Sequence, residues 1–368
     1  MENDTFTYQT MLTCIGNKRK LISNIEKIVM EDILPNLEKH KITIFDGFAG
    51  SSVVSRSLSQ YADTIHTNDM EKYSSIMAMC FLKKPNDEMK EKISNHIHQM
   101  NELAKNGPYH EGIITKNYSP KDTSNIQEGE RCFYTHENAL IIDTLRKYID
   151  DHVEIDLFVY CISPLLIKAS IHANTAGVFK GFYKDKKTGI GTFGGSEENA
   201  LSRITKPIQL ELPKWSHYDF KSIIYNQDIN TLIDELPDDI DLTYLDPPYN
   251  QHPYSSNYFM LNLIIKNKDP DKISKVSGIP NDWTRSNYNY KDKAINSMKE
   301  LIQETMKKSK YILLSYNNEG IIPINDWNNI FKDYKVKPYK IPYGTYKGSR
   351  NLKDRSDKVV EIMYLLSK

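Results

Sequence analysis

The sequence predicts an α/β fold built on a mostly parallel sheet and interrupted by a long insert. Three observations carry this reading. Short apolar segments alternate with helix-periodic segments near the start of the chain. That rhythm stops at about residue 86 and resumes at about 222. It then ends in two apolar segments joined by a basic turn.

Each element has its own signal. Leu21, Ile22, Ile25, Ile28, Val29 and Ile33 recur three and four apart, which predicts a helix from Leu21 to Leu37 with Pro35 near its end. Lys41 to Phe48 reads as a buried strand around Ile42, Ile44 and Phe45. A small-residue turn, Gly47 to Ser52, leads into a helix from Val53. Thr64 to Asn68 is a second strand, and Tyr73 to Leu82 a second helix. From Asn86 the pattern becomes helical and charged as far as Ala104, with a loop at Gly107-Pro108 and further helices over His136–Tyr148 and Ile155–Ala173. Gly177 to Gly195 suits a loop or hairpin. Ser222–Asn226, Asp241–Leu245 and Tyr311–Tyr316 are strands, and Lys335–Tyr343 with Val359–Leu366 form a closing antiparallel pair. The simplest division is a domain made of residues 1–85 and 222–368, with 86–221 a mostly helical insert.

Lys plus Arg and Asp plus Glu both number 48, so any contact with an anionic polymer must come from local positive faces. Lys168 to Lys187 is one basic run, and Lys335 to Arg355 is another. A solvated surface explains either run equally well. The four cysteines, Cys14, Cys80, Cys132 and Cys161, form no C-x-x-C pair, and no apolar run approaches the roughly 18 residues of a membrane span. A reduced, cytoplasmic protein without structural zinc is expected.

The sharpest chemical signal is Asp241-Leu-Thr-Tyr-Leu-Asp-Pro-Pro-Tyr249, an apolar strand ending in a carboxylate, two prolines and an aromatic ring. Ligands of open α/β sheets bind at the carboxyl ends of strands. There Asp246 can accept a hydrogen bond from one proton of an exocyclic amine, and the carbonyl of Pro247 can accept one from the other. Pro247 and Pro248 restrict the backbone that presents them. Tyr249 offers a face for stacking on a base. Phe45-Asp-Gly-Phe-Ala-Gly-Ser-Ser52 is a glycine-bearing turn between strand and helix, where Asp46, Phe48, Gly50 and Ser51 would meet a ligand. Asp69, beside Met70, ends the second strand in the place that commonly binds ribose hydroxyls. Asp228, beside Ile229, ends another strand. A helix cap explains either aspartate as well.

These motifs, in this order, together with Cys14-Ile-Gly-Asn-Lys18 before a helix, resemble the Dam-like family of N6-adenine DNA methyltransferases of restriction–modification systems. The likeness covers about residues 8–80 and 222–320. It implies a Rossmann-like S-adenosylmethionine-dependent methyltransferase fold with an inserted target-recognition region. It also implies S-adenosylmethionine as donor and an adenine flipped from duplex DNA, in a bacterial or phage-encoded protein, with a cognate endonuclease as functional partner. The resemblance places Cys14, Gly16 and Lys18 at the cofactor, with Lys18 also at the target base. Two positions depart from the family: Ser51 stands where a glycine is usual, and Cys14 where a large aromatic is common, a role Tyr8 would have to fill. Cytosine-N4 enzymes usually carry Ser, and RNA or protein-glutamine enzymes Asn, in place of Asp246. An inactive cofactor- and DNA-binding module is the reading from another class. A monomer is expected.

For DNA contact, Ala173 to Tyr183 interleaves polar, aromatic and basic residues; Asn174 would pair with an adenine and Lys180 with a phosphate. Asn250 to Tyr258, with Asn257 and Tyr258, would close over the flipped base. Trp283 to Tyr290 adds aromatics and Arg285, which would line the cleft or pack. Arg350 lies in the basic turn Gly344–Arg350 between the last two strands, where a phosphate contact is expected.

Overall fold

The computed structural model describes residues 3–8, 12, 14–195, 199–344 and 358–368. Seven strands form one sheet: β1 (Ile42–Asp46), β2 (Ala62–Asn68), β3 (Lys221–Tyr225), β4 (Ile240–Leu245), β5 (Ser309–Asn317), β6 (Lys335–Gly344) and β7 (Lys358–Ser367). Their order across the sheet is β3-β2-β1-β4-β5-β7-β6. The first five are parallel; β7 runs antiparallel to β5 and to β6. The chain therefore winds outward in one direction from β1 and in the other from β4. The crevice between them is the topological switch point where such sheets bind ligands. This is the Rossmann-like methyltransferase arrangement expected, closing antiparallel pair included.

Alternation along the strands builds a core on each face. Ile44, Leu242, Leu313 and Met363 pack with the helices Ile22–Ile28 and Val53–Leu58. Phe45, Leu245, Ile312 and Leu314 point the other way, toward the helix Lys291–Lys308. Between β2 and β3 lie the helix Lys72–Leu82 and then five more: Asp87–Asn106, Ile113–Tyr118, His136–His152, Phe158–Ile171 and Leu201–Thr205. The apolar sides of all but the last of these share one core with Tyr73–Leu82 and with the helix Phe259–Lys266. Arg146 ties the two regions polarly. Its guanidinium donates to the carbonyls of Ile264 (2.8 Å) and Ile265 (3.2 Å), which the end of that helix leaves unpaired.

The first long helix differs from expectation. Instead of running unbroken from Leu21 to Leu37, it widens into a π turn over Val29–Ile33 before the last turn, Leu34–Leu37. Pro35 has no N–H and its ring crowds the carbonyl four residues back, so a regular helix cannot pass through it. Gly177 to Gly195 contains a small hairpin bridged at Lys184 and Gly191. Among the described residues, no helix is long and apolar enough to cross a membrane.

One charge cluster pins the opposite end of the sheet. The fully buried Asp241 at the start of β4 accepts from Lys39 (2.9 Å), Lys310 (2.8 Å) and the N–H of Thr43 (3.1 Å). Burial opposes its charge, but these donors hold its carboxyl below the usual range. Both lysines are about half exposed, so solvent screening keeps the effect small. Asp241→Asn is expected to lower stability by about 1 kcal/mol at neutral pH. Because the folded pKa is depressed, the difference between the melting temperatures should shrink as pH falls through the carboxylate range.

Candidate active site

A cleft opens at the carboxyl ends of β1, β2 and β4, where ligands of open α/β sheets bind. Five segments distant in sequence meet there: Cys14 to Lys18, Asp46 to Ser51, Asp69 to Glu71, Gln227 to Ile229 and Asp246 to Tyr249. Cys14, Gly16, Lys18, Asp46, Phe48, Gly50, Ser51, Asp69, Met70, Asp228, Ile229 and the whole Asp-Pro-Pro-Tyr tetrapeptide line it. Tyr8 is not among the lining residues; Tyr73 is.

At the floor, Lys18 Nζ donates to Asp246 Oδ1 at 2.7 Å and to the Gly16 carbonyl at 3.2 Å, and lies 3.3 Å from Glu361 Oε1. Lys18 is 4% exposed, Asp246 16% and Glu361 0%. Burial opposes the ammonium, but the two carboxylates hold its pKa well above normal. Asp246 is pushed up to about 6, chiefly by burial, with Lys18 opposing and Glu361 adding to the rise. Lys18 lies 5.7 Å from the centre of the Tyr249 ring, which packs edge-on against Tyr316. Glu361 was not anticipated. The signal was a single acid inside the otherwise apolar Val-Val-Glu-Ile-Met-Tyr-Leu-Leu366.

The loop carrying Lys18 is held by two tyrosines. Tyr258 Oη accepts from the Ile15 N–H at 2.7 Å, and Tyr254 Oη donates to the Ile15 carbonyl at 2.6 Å. Gly16 has φ 81°, and a Cβ there would fall 2.8 Å from the Tyr249 hydroxyl, so no other residue fits without displacement.

The turn after β1 is stapled by Asn68, another residue that sequence reading did not single out. Its amide donates to the carbonyls of Gly47 (3.3 Å) and Gln227 (3.2 Å), joining the ends of β1, β2 and β3. Asp69 accepts from the Gly50 N–H at 2.7 Å and the Glu71 N–H at 2.8 Å. It therefore orders both the glycine turn and the next helix start, and a carboxylate has further lone pairs to offer a ligand. Asp228 caps the short helix Ile229–Leu232 by accepting from Asn230, so its cap and its place on the cleft coexist. At Ser51 the missing glycine costs nothing in backbone terms: left-handed φ falls on Gly50 (52°) and on Ser52 (59°). A Cβ on Gly50 would meet nothing within 4 Å, leaving the backbone open to close approach by a ligand. Asp46 Oδ2 accepts from Ser55 Oγ at 2.5 Å, while the buried Oδ1 has no hydrogen-bond partner. Burial raises Asp46 to about 7, and burial followed by the Asp69 charge raises Glu71, a lining residue not anticipated, to about 7.

Several expected DNA contacts need correction. Asn174 is fully buried; its amide donates to the carbonyls of Cys132 and Thr192, both at 2.8 Å, and holds the hairpin to the helical region. Its short side chain is consumed by backbone groups and cannot read a base. Tyr258 is 1% exposed and serves the Ile15 loop. Asn257 is 8% exposed, beneath the loop it was expected to tip. Lys18 lines the cleft with its ammonium on two carboxylates, so it acts there as their counter-charge. Lys180 and Arg285, by contrast, meet around His252: Lys180 Nζ is 3.4 Å from His252 Nδ1, and Arg285 donates to the Gln251 carbonyl at 2.7 Å. From the Trp283–Tyr290 stretch, Tyr288 packs inward, donating to Asn230 Oδ1 at 2.6 Å, while Thr284, Ser286 and Asn289 line the cleft. Arg350 lies outside the described residues.

With this geometry in view, the comparisons are direct. The sequence model of the D12 class N6 adenine-specific DNA methyltransferases matches residues 15–330. Modification methylase StsI of Streptococcus sanguinis is 28% identical over 96% of this chain and 51% of that protein. Type II methyltransferase M.NlaIII of Neisseria lactamica is 28% identical over 96% of this chain and 98% of that protein. Type II methyltransferase M.FokI of Planomicrobium okeanokoites is 28% identical over 95% and 52%. The chain thus spans about half of StsI and M.FokI and nearly all of M.NlaIII.

The buried charge cluster makes a prediction independent of any ligand. Lys18→Met leaves Asp246 and Glu361 without their counter-charge and is expected to lower stability by about 3–5 kcal/mol at pH 8. Without the ammonium Asp246 titrates at higher pH, so the deficit in chemical denaturation should narrow at pH 5.5 as it is neutralised.

Proposed function

The chain belongs to the D12 class of N6 adenine-specific DNA methyltransferases, and we propose that its cleft brings S-adenosylmethionine together with an adenine turned out of duplex DNA, at Asp246. The carrying observation is that Lys18 occupies Oδ1 of Asp246 at the edge of the cleft, which leaves Oδ2 for the base.

The unpartnered Asp46 Oδ1 and the open backbone at Gly50 suit a polar ligand that presses against the glycine turn. Asp69 would take its ribose hydroxyls, and Asp228, beside Ile229, its adenine. When bound, this donor supplies a methyl group on a positively charged sulfur. The residues of the chain prepare the other reactant. The adenine amine is a weak nucleophile because its lone pair is delocalised into the ring. Asp246 accepts a hydrogen bond from one N6 proton, and the Pro247 carbonyl, fixed by the following Pro248, accepts a hydrogen bond from the other, favouring a pyramidal nitrogen. Tyr249 stacks on the extruded base. The donor would release its methyl group to N6 and keep the bonding electron pair on sulfur, and Asp246 is placed to take the one proton that N6 then gives up.

DNA contact is proposed for Lys180, His252 and Arg285. Burial first, and then the neighbouring positive charges, disfavour protonation of Lys180 and His252. A phosphate among the three groups would relieve that repulsion. Residues 86–221 are proposed to select the target sequence, and the chain to act as a monomer, paired functionally with a cognate endonuclease of the same specificity. The names of its relatives, type II methyltransferases and modification methylases, support that setting.

Incubation with labelled S-adenosylmethionine and unmethylated DNA should yield N6-methyladenine in one short context. Asp246→Ala should abolish transfer yet retain donor binding; normal turnover would sink the assignment. Asp69→Ala should weaken donor binding in a titration. For the wild type, kcat should fall on acidification through about pH 6, because protonated Asp246 can no longer accept. Lys180→Ala and Arg285→Ala should each raise KM for DNA and reduce the slope of log affinity against log salt by about 1.

A further inference from the structure

We propose that Glu361 is a positioning residue for methyl transfer: from β7 it anchors Lys18 so that the ammonium is held on one oxygen of Asp246 and the other is kept for the substrate amine. The proposal rests on the reading of Asp246 as the amine's acceptor.

Four observations support it. Glu361 is fully buried in an apolar strand, a costly place for a carboxylate unless it is paired. Its Oε1 accepts from Ser315 Oγ at 2.5 Å and faces Lys18 Nζ at 3.3 Å, while the buried Oε2 has no hydrogen-bond partner. The pairing of β5 with β7 sets it opposite Asn317, two residues beyond Ser315, so its backbone position is rigid. Lys18 reaches the same point from a loop that Tyr254 and Tyr258 fasten at Ile15. An ammonium between two acids cannot collapse wholly onto either, so Glu361 limits how strongly Lys18 neutralises Asp246.

The other groups acting at this point are known for each packed element. Tyr244 on β4 and Tyr254 beyond it are neutral phenols, with Tyr244 sharing the Lys18 and Glu361 field. Asp46 on β1 and Asp69 after β2 are the nearest further acids on the cleft. Of the two groups nearest Asp246, Glu361 works to raise its pKa and Lys18 to lower it. Removing the Glu361 charge should therefore leave Asp246 a weaker acceptor that stays ionised to lower pH.

The test compares wild type with Glu361→Gln and Glu361→Met, measuring kcat and KM from pH 5 to 9. The methionine variant fills the same space without a buried charge and is expected to fold at least as well. Both should show kcat reduced at least tenfold, KM for donor and DNA within twofold, and the acidic limb displaced to lower pH. A role in folding alone would lower the melting temperature without moving that limb. Folded variants with wild-type kcat and an unmoved limb would overturn the proposal. Asp246→Ala, run alongside, separates the two readings. If it retains turnover, the acceptor assignment itself fails; if it is inactive while the Glu361 variants are unaltered, only the role of Glu361 fails.

Discussion

Two carboxylates and one ammonium, all withdrawn from bulk water, join three parts of the chain that lie far apart in sequence. Lys18 comes from the N-terminal loop, Asp246 from the end of β4 and Glu361 from the middle of β7. A buried charge is tolerable only beside its partner. The cluster therefore forms only when the loop, the switch-point strand and the antiparallel strand are all in place. Catalytic geometry and completion of the sheet become one event.

The rest of the cleft follows the same economy, with groups that build the structure also facing the ligand. Asp69 orders the glycine turn and the following helix start, and still presents lone pairs to the cavity. Asp228 caps a helix on the cleft wall. Asn68 closes three strand ends onto one another. For these residues the choice between a cap and a binding group is a false one, because a carboxylate or amide at a strand end has more hydrogen-bonding capacity than the backbone nearby consumes.

The helical region between β2 and β3 is bound into the enzyme rather than hung from it. Its core runs on into the helices Lys72–Leu82 and Phe259–Lys266, and Arg146 satisfies the carbonyls at the end of the second. Its hairpin brings Lys180 to His252 and Arg285, which follow the Asp-Pro-Pro-Tyr tetrapeptide. Contact with a DNA backbone on that side would be felt through packed helices next to Asp246.

Local pattern determined much of this protein. Short apolar runs marked the strands of the sheet, because burial on both faces imposes a composition that can be read without coordinates. The Asp-Pro-Pro-Tyr tetrapeptide, the glycine turn and the acids that end strands were legible because each needs particular residue types at fixed spacing. Tertiary structure alone decided what side chains reach across the fold. It turned Lys18 inward to Glu361, gave Tyr258 to the backbone of Ile15, and committed the amide of Asn174 to the carbonyls of Cys132 and Thr192. A polar residue in a loop has the same composition whether it faces a ligand or a neighbouring carbonyl. Which it meets depends on contacts between segments far apart in the chain, and these leave no periodic trace in the sequence.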